Sequence, residues 1–369
     1  MKKLGFGCMR LPLIDPKDET SVNFEMMCEM VDTFLEHGFT YFDTAYMYHQ
    51  YTSECMVKKA LVERHPRESF LLADKLPTMK LEKVEDMERI FNEQLEKTGV
   101  DYFDYYLLHN LNKNTYEIAT KLNAFDFVSQ KKKEGKVKRM GFSYHDDAAL
   151  LDEILSNHPE VEFVQLQLNY MDWDSEEIQS GKCYEVCMKH NKDVIVMEPI
   201  KGGSLVNIPD SAKDLLKAKR PELSIASWAI RYAASKDRVI MVLSGMSNFE
   251  QMKDNISYME NFEPLNQDEQ GLMTQVVKVI KETTKVPCTA CRYCVEGCPM
   301  QIAIPEYFDI YNEYHRFKNL SRAKRHYANL TKEHGKASEC IACGQCEKAC
   351  PQHLSIIDFL KEVSNVLED

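Results

Sequence analysis

The sequence lacks any run of 18 or more apolar residues, and a membrane-spanning helix needs about 20, so no membrane segment is expected. Its first residues, MKKLGFGCMRLP, hold no long apolar stretch ahead of Arg10 and Pro12, so no secretory signal is expected either. Glycine is sparse, at 14 of 369 residues, and no GxGxxG occurs among them. That motif forms the phosphate turn of a doubly wound dinucleotide-binding sheet, so this architecture is only the runner-up. Positive charge is in deficit as well. Lys and Arg number 46 against 58 Asp and Glu, a formal net charge of −12, which argues against nucleic acid as a partner. Hydrophobic residues make up 44% and charged residues 28%, which excludes a disordered or collagenous chain.

What is present is unevenly spread. Eight of the 13 cysteines lie in residues 281–369, where twelve basic residues balance twelve acidic ones. The net negative charge therefore belongs to the first 280 residues. This step in composition predicts two domains, 1–280 and 281–369. The other five cysteines (Cys8, Cys28, Cys55, Cys183 and Cys187) read as small buried apolar residues.

The first 280 residues alternate between short β-rich runs and helical patterns. Strand candidates are LGFGC, FTYFDTA, SFLLADK, FDYYLLH, VKRMGFS, EFVQLQLN, DVIVMEP and RVIMVLSG. Between them, Phe24, Met27, Val31 and Leu35 mark an amphipathic helix, as do Val84, Met87, Phe91 and Leu95. A third helix is expected near residues 116–134, ending at Gly135. Most of the strands are apolar without strict alternation, as in parallel sheets covered by helices. Eight β/α repeats in about 250 residues predict a (β/α)8 TIM barrel, an α/β fold whose chemistry sits at the carboxyl ends of its strands.

Asp43, Lys75 and His109 end three of those strands, and Tyr48 follows Asp43 by five residues. Together they form a proton-transfer group. A carbonyl reduced by hydride needs a proton on its oxygen, and an unperturbed tyrosine, with a pKa of about 10, is a poor donor. A neighbouring Lys ammonium lowers that pKa, an Asp keeps the ammonium charged and oriented, and a His directs the substrate oxygen. Glu54 and Asp104 read instead as structural ion-pair partners.

These residues stand in LGFGCMRLP, FDTAYMY, ADKLP, YLLHN, GFSYHD, VQLQLNY, MEPIKGG and LSGMSNFEQMKDN. Through these motifs residues 1–280 resemble the aldo-keto reductases. The resemblance implies Tyr48 as general acid with Lys75, Asp43 and His109 around it. It also implies an extended nicotinamide cofactor across the barrel mouth. Ser143 and Gln165 would hold the carboxamide, with Met197 where an aromatic usually stacks on the ring. The MEPIKGG loop (Pro199, Ile200, Lys201, Gly202) and the segment with Gly245, Ser247, Gln251 and Asn255 would hold the pyrophosphate and adenosine half. NADP-specific members place cations where this chain has Gly245, Ser247 and Gln251. A 2′-phosphate there would lack a charge-assisted partner, so NADP and NAD both stand as cofactors.

The tail carries one pattern twice: Cys288-x2-Cys291-x2-Cys294-x3-Cys298-Pro299 and Cys340-x2-Cys343-x2-Cys346-x3-Cys350-Pro351. This is the bacterial ferredoxin spacing for [4Fe–4S] clusters, in which the fourth cysteine ligates the other cluster. The expected sets are therefore Cys288, Cys291, Cys294 and Cys350 for one cluster, and Cys340, Cys343, Cys346 and Cys298 for the other. Disulfides or structural zinc are the alternatives to clusters. The stretch between the two runs reads as helical, so the tail resembles a small, mainly α-helical ferredoxin-type domain. Arg316, Lys318, Arg322, Lys324 and Arg325 form a solvated basic face or a docking face for an acidic carrier.

The expected function is a cytoplasmic oxidoreductase that reduces a small carbonyl, or oxidises the alcohol, with NADP or NAD. It would be linked through two [4Fe–4S] clusters to electron transfer with a redox partner. The alternative is an electron-transfer or regulatory subunit that uses the barrel as a nucleotide-binding scaffold.

Overall fold

The computed structural model describes residues 2–176, 178–317 and 320–368, the side chains of residues 316, 317 and 322 aside. Eight parallel strands close into a barrel in chain order: β1 (Leu4–Gly7), β2 (Tyr41–Asp43), β3 (Leu71–Leu76), β4 (Phe103–Leu111), β5 (Val137–Tyr144), β6 (Phe163–Gln167), β7 (Asp193–Met197) and β8 (Val239–Ser244). Leu4 of β1 pairs with Val242 of β8 to complete the ring. All eight expected strands and the TIM-barrel class are thus present.

Helices alternate with the strands along the chain: α1 (Phe24–Glu36), α2 (Ser53–Val57), α3 (Val84–Thr98), α4 (Lys113–Lys121), α5 (Ala124–Lys133), α6 (Ala148–Asn157), α7 (Ser180–Lys189), α8 (Asp210–Lys219), α9 (Ile225–Ala234) and α10 (Phe249–Met259). In α1 the Asn23 side chain accepts from the Met26 amide at 3.1 Å and so caps an otherwise unsatisfied donor. Met27, Met30, Val31 and Phe34 then turn inward at helical spacing. The expected helix over 116–134 is in fact two, α4 and α5. Asn123 takes a left-handed backbone (φ 57°) between them, a conformation asparagine tolerates better than most residues.

The remaining helices are α11 (Gln267–Thr283), α12 (Tyr293–Glu296), α13 (Ile304–Phe317), α14 (Leu320–Leu330), α15 (Gln345–Ala349) and α16 (Ile356–Leu367). Tyr307, Phe308, Tyr311, Tyr327, Leu360 and Val363 form a buried core there, which Cys294, Cys346 and Cys350 join. The chain divides into two compact units, Met1–Pro199 with Ala226–Leu265 and Ile200–Ile225 with Asn266–Asp369. This division does not fall at residue 280. α8 and α11 pack together, with Arg220 Nη1 3.4 Å from Glu269 Oε1, and both belong with the cysteine-rich helices. Among the described residues no helix is long and apolar enough to cross a membrane.

Candidate active site and cysteine-rich sites

Successive strand side chains alternate between faces, so residues two apart share one. Tyr41, Ala73, Leu107, Phe163, Ile195 and Leu243 belong to a buried layer inside the barrel. Two residues further toward the carboxyl ends stand Asp43, Lys75, His109, Gln165, Met197 and Gly245. Ser143 follows Gly141 in the same way and lies in register with Gln165. The alternation that fills the barrel with apolar side chains thus puts polar ones at its mouth.

Lys75 Nζ lies 2.5 Å from Asp43 Oδ1 and donates to the Thr44 carbonyl at 2.7 Å, with no exposed surface. Gln165 Nε2 donates to the other Asp43 oxygen at 3.0 Å. Tyr48 projects from the loop after β2, and the Lys75 ammonium stands 4.9 Å from the centre of its ring. The His109 ring is 6.1 Å from that of Tyr48, edge-on at 82°. The four expected residues therefore converge.

Their electrostatics differ in one respect from the sequence expectation. Burial pushes the Tyr48 phenol above its usual value, and the opposing pull of Lys75 does not overcome it. The phenol is raised, not acidified, and stays protonated at neutral pH. Burial works against the Lys75 ammonium, but Asp43 and Tyr48 outweigh it and hold the lysine charged. Burial, then Lys75 and His145, keeps His109 well below the usual histidine range, so its imidazole is neutral. His109 Nδ1 is buried without a hydrogen-bond partner.

A second polar layer holds Lys75 from behind. The Lys75 amide donates to Asp74 Oδ1 at 2.8 Å, and Gln94 Nε2 donates to the Lys75 carbonyl at 3.0 Å and to Glu54 Oε1 at 3.1 Å. Glu54 also lies 3.5 Å from Lys97, and Asp104 lies 2.6 Å from Arg67. Both acids thus have the ion-pair partners expected of them. Asp74, Gln94 and Tyr106, whose hydroxyl donates to Gln94 Oε1 at 2.6 Å, had no signal in the sequence, because their convergence needs the helices in place.

The residues expected to hold a nucleotide are divided. Ser143, Gln165, Met197, Pro199, Gly245, Ser247, Gln251 and Asn255 fall in the first unit, and Ile200, Lys201 and Gly202 in the second. Ser143 Oγ accepts from the Asn110 amide at 2.7 Å, which leaves its own proton to donate. Asn255 is buried, with its amide nitrogen on Ser244 Oγ at 2.9 Å and its oxygen on the Tyr258 hydroxyl. Gln251 Oε1 accepts from the Ser247 amide at 2.8 Å. Lys201 Nζ donates to Gln352 Oε1 at 2.8 Å. A residue the sequence did not single out lies at this segment: exposed Arg10 crosses Gly245 so closely that a Cβ there would stand 3.0 Å from the Arg10 Cβ.

In the second unit the two cysteine runs repeat one backbone. Ala290, Arg292 and Gln301 have positive φ, and so do Ala342, Gly344 and His353, each 52 residues later. Cys288, Cys291, Cys294 and Cys350 line one small opening, the crosswise set read from spacing. Burial and the neighbouring thiols push Cys288 up to about 11 and Cys294 up to about 12. Cys346 is likewise raised to about 11 by burial, and its thiol neighbours are Cys340 and Cys298. No disulfide joins any cysteine. Among the described residues no three His, Cys, Asp or Glu form a site for a single ion. Four thiols around an open space suit a cubane, whose irons occupy separate corners. Of the basic face, Lys324 is half-buried and Arg325 exposed, while Lys318 and the side chains of Arg316 and Arg322 lie outside the described residues.

Comparison with known proteins agrees with this geometry. The model of the aldo/keto reductase family matches residues 3–278. The chain belongs to that family. This aldo/keto reductase also matches a 4Fe–4S dicluster domain over residues 287–354. It is 31% identical over 201 residues to a probable aldo-keto reductase 1 of soybean, Glycine max, covering 50% of this chain and 53% of that one. The match therefore spans about half the length of this relative. The holo form of aldo-keto reductase AKR11C1 from Bacillus halodurans superposes with a TM-score of 0.57 at 26% identity, over 74% of this chain and 91% of that one. An aldo/keto reductase from Klebsiella pneumoniae, solved with NADP and acetate, gives 0.58 at 18% identity, over 74% and 91%.

Proposed function

We propose that this aldo/keto reductase interconverts a small carbonyl compound and its alcohol using a nicotinamide dinucleotide, and that its cysteine-rich unit carries two [4Fe–4S] clusters. The observation that carries the reading is the convergence of Lys75, Asp43, Tyr48 and His109 at the carboxyl ends of the barrel strands. The buried, unpartnered His109 Nδ1 and the Ser143 proton fit a site that accepts a polar ligand. A reduced nicotinamide, when bound, supplies the hydride to the carbonyl carbon. Tyr48 donates its phenolic proton to the carbonyl oxygen, and the buried Lys75 ammonium stabilises the phenolate left behind until it is reprotonated. Neutral His109 orients the substrate oxygen by a hydrogen bond. Ser143 and Gln165 hold the carboxamide. Gly245, Ser247 and Gln251 at the end of β8 and the start of α10 would hold the adenosine half of the dinucleotide. Exposed Arg10 offers the cation for a 2′-phosphate that Gly245, Ser247 and Gln251 do not, which favours NADP over NAD.

The test is anaerobic oxidation of NADPH and NADH against a panel of aldehydes and ketones. Tyr48→Phe should lower kcat for carbonyl reduction by roughly 10²–10⁴-fold, the usual worth of a positioned proton donor, with iron content unchanged. A variant that keeps full activity overturns the assignment. The exposed Cys343 favours a second reading, in which the unit relays electrons to a partner and the barrel serves as a scaffold. Absence of turnover across the panel, with co-purification of a redox protein, would select it.

A further inference from the structure

The two cysteine sets share a backbone pattern but not their surroundings. Thr289 and Gln352 line the same opening as Cys288, Cys291, Cys294 and Cys350, and both meet the segment that follows Pro199. Lys201 Nζ donates to Gln352 Oε1 at 2.8 Å, and both residues are buried, at 5% and 4% exposure. A Cβ on Gly202 would stand 2.3 Å from the Thr289 carbonyl oxygen, so the two backbones touch with no room for a side chain. Lys201 itself holds a left-handed backbone, φ 49°, uncommon outside glycine and asparagine.

The second set meets solvent and mixed charge. Cys343 is exposed and neighbouring Ile341 is 61% exposed. Glu347, next to Cys346 in the chain, adds negative charge there, while exposed Lys361 pairs with Asp358 at 2.8 Å. Buried lysine is therefore a feature of the first set.

A cluster ligated by four thiolates is already anionic, and reduction by one electron adds another negative charge. Burial makes that addition harder, and a cation in the same low-dielectric surroundings makes it easier. We propose that Lys201 belongs to the first cluster: its ammonium, anchored on Gln352, selectively stabilises the reduced state of the cluster held by Cys288, Cys291, Cys294 and Cys350. Lys201 thus acts on electron transfer and not on the pyrophosphate.

This inference rests on the reading that the unit binds two clusters, which iron and sulfide analysis of the full chain checks separately. The test is an anaerobic potentiometric titration of the reconstituted protein, with dithionite as reductant and electron paramagnetic resonance as readout. In Lys201→Gln, the reduced-to-oxidised ratio of one cluster at fixed potential should fall at least tenfold, about 59 mV for a one-electron couple. The other wave should stay in place, and Lys201→Arg should retain the original value. Cys343→Ser, which perturbs the second cluster, identifies the unaffected wave. If Lys201→Gln does not assemble, Gln352→Leu, which removes the anchor, should move the same wave in the same direction. The proposal is overturned if both clusters are present and neither wave moves, if both move together, or if the wave tied to Cys343 is the one that shifts. Absence of iron from the wild-type chain would overturn the cluster reading itself.

Discussion

In the barrel mouth the protein balances its own charges. Lys75 stands against Asp43, Asp43 also accepts from Gln165, and the Lys75 backbone is held on both sides by Asp74 and Gln94. In the cysteine-rich unit the buried reactive groups are thiols whose neighbours are largely other thiols, and several of them form part of the apolar core. The first site is complete in its side chains before any ligand arrives, whereas the second is organised around a group the side chains do not supply. A metal site made this way contributes its binding energy to folding. The two regions should therefore respond differently to the same treatments.

The largest difference should come from removing the metal. Chelation with oxidative loss of the clusters should abolish the cooperative unfolding of the cysteine-rich unit, because Cys294, Cys346 and Cys350 would then leave a core of tyrosines and leucines around open space. The barrel should keep its own transition. Differential scanning calorimetry before and after cluster removal checks this, and a barrel transition lost together with the unit would break the comparison.

A substitution within the barrel should show the reverse. Lys75→Met leaves the Asp43 carboxylate buried without its cation, and breaking such a pair typically costs about 3–5 kcal/mol. Urea unfolding should report a loss of that order in the barrel, with iron and sulfide content retained. Asp43→Asn added to Lys75→Met should recover part of the stability by removing the stranded charge.

The support layer behind Lys75 sharpens the comparison through pH. Burial raises Asp74 well above the usual carboxylate range, and the proximity of Glu54 adds to the effect. Glu54, itself raised by burial, faces Gln94 and Lys97 as well as Asp74. Asp74 Oδ2 is buried without a hydrogen-bond partner, and Glu54 Oε2 stands 3.5 Å from Lys97 Nζ, so the facing carboxyls are expected to hold a proton between them. The folded chain keeps a proton that the unfolded chain releases above its ordinary carboxylate pKa. Stability from this pair is present at low pH and declines as pH rises from about 4 toward the raised value, by up to roughly 1.4 kcal/mol per pH unit. Asp74→Asn should flatten that slope in urea titrations run from pH 4 to pH 8. A variant with the wild-type slope would show that the pair holds no shared proton.

What the sequence made legible follows from which forces are local. The eight strands announced themselves as buried apolar runs, and Asp43, Lys75 and His109 stood at their ends, where a barrel places chemistry. The grouping of Cys350 with Cys288, Cys291 and Cys294 around one opening was legible because the repeated spacing pairs the two runs crosswise. Burial is not a local property, so Lys75 suggested an acidified phenol where desolvation in fact keeps Tyr48 protonated. The break between α4 and α5 depended on one asparagine adopting a left-handed turn within an otherwise helical stretch. The contact of Lys201 with Gln352 was not legible, because the two residues lie 151 positions apart.

Arg10 was hidden for the same reason, since its stem meets Gly245 across the closure of the barrel between β1 and β8. It is the smallest of the expected effects. Its guanidinium is exposed, and an exposed ion pair is worth about 0–1 kcal/mol once solvent screening is included. Arg10→Ala should raise KM for NADPH by up to about fivefold, leave KM for NADH nearly unchanged, and lose its effect at high salt, where exposed pairs are screened. Equal changes in both KM values would place Arg10 on the pyrophosphate, which the two cofactors share. No change in either would return cofactor choice to Ser247 and Gln251, whose uncharged side chains favour NAD.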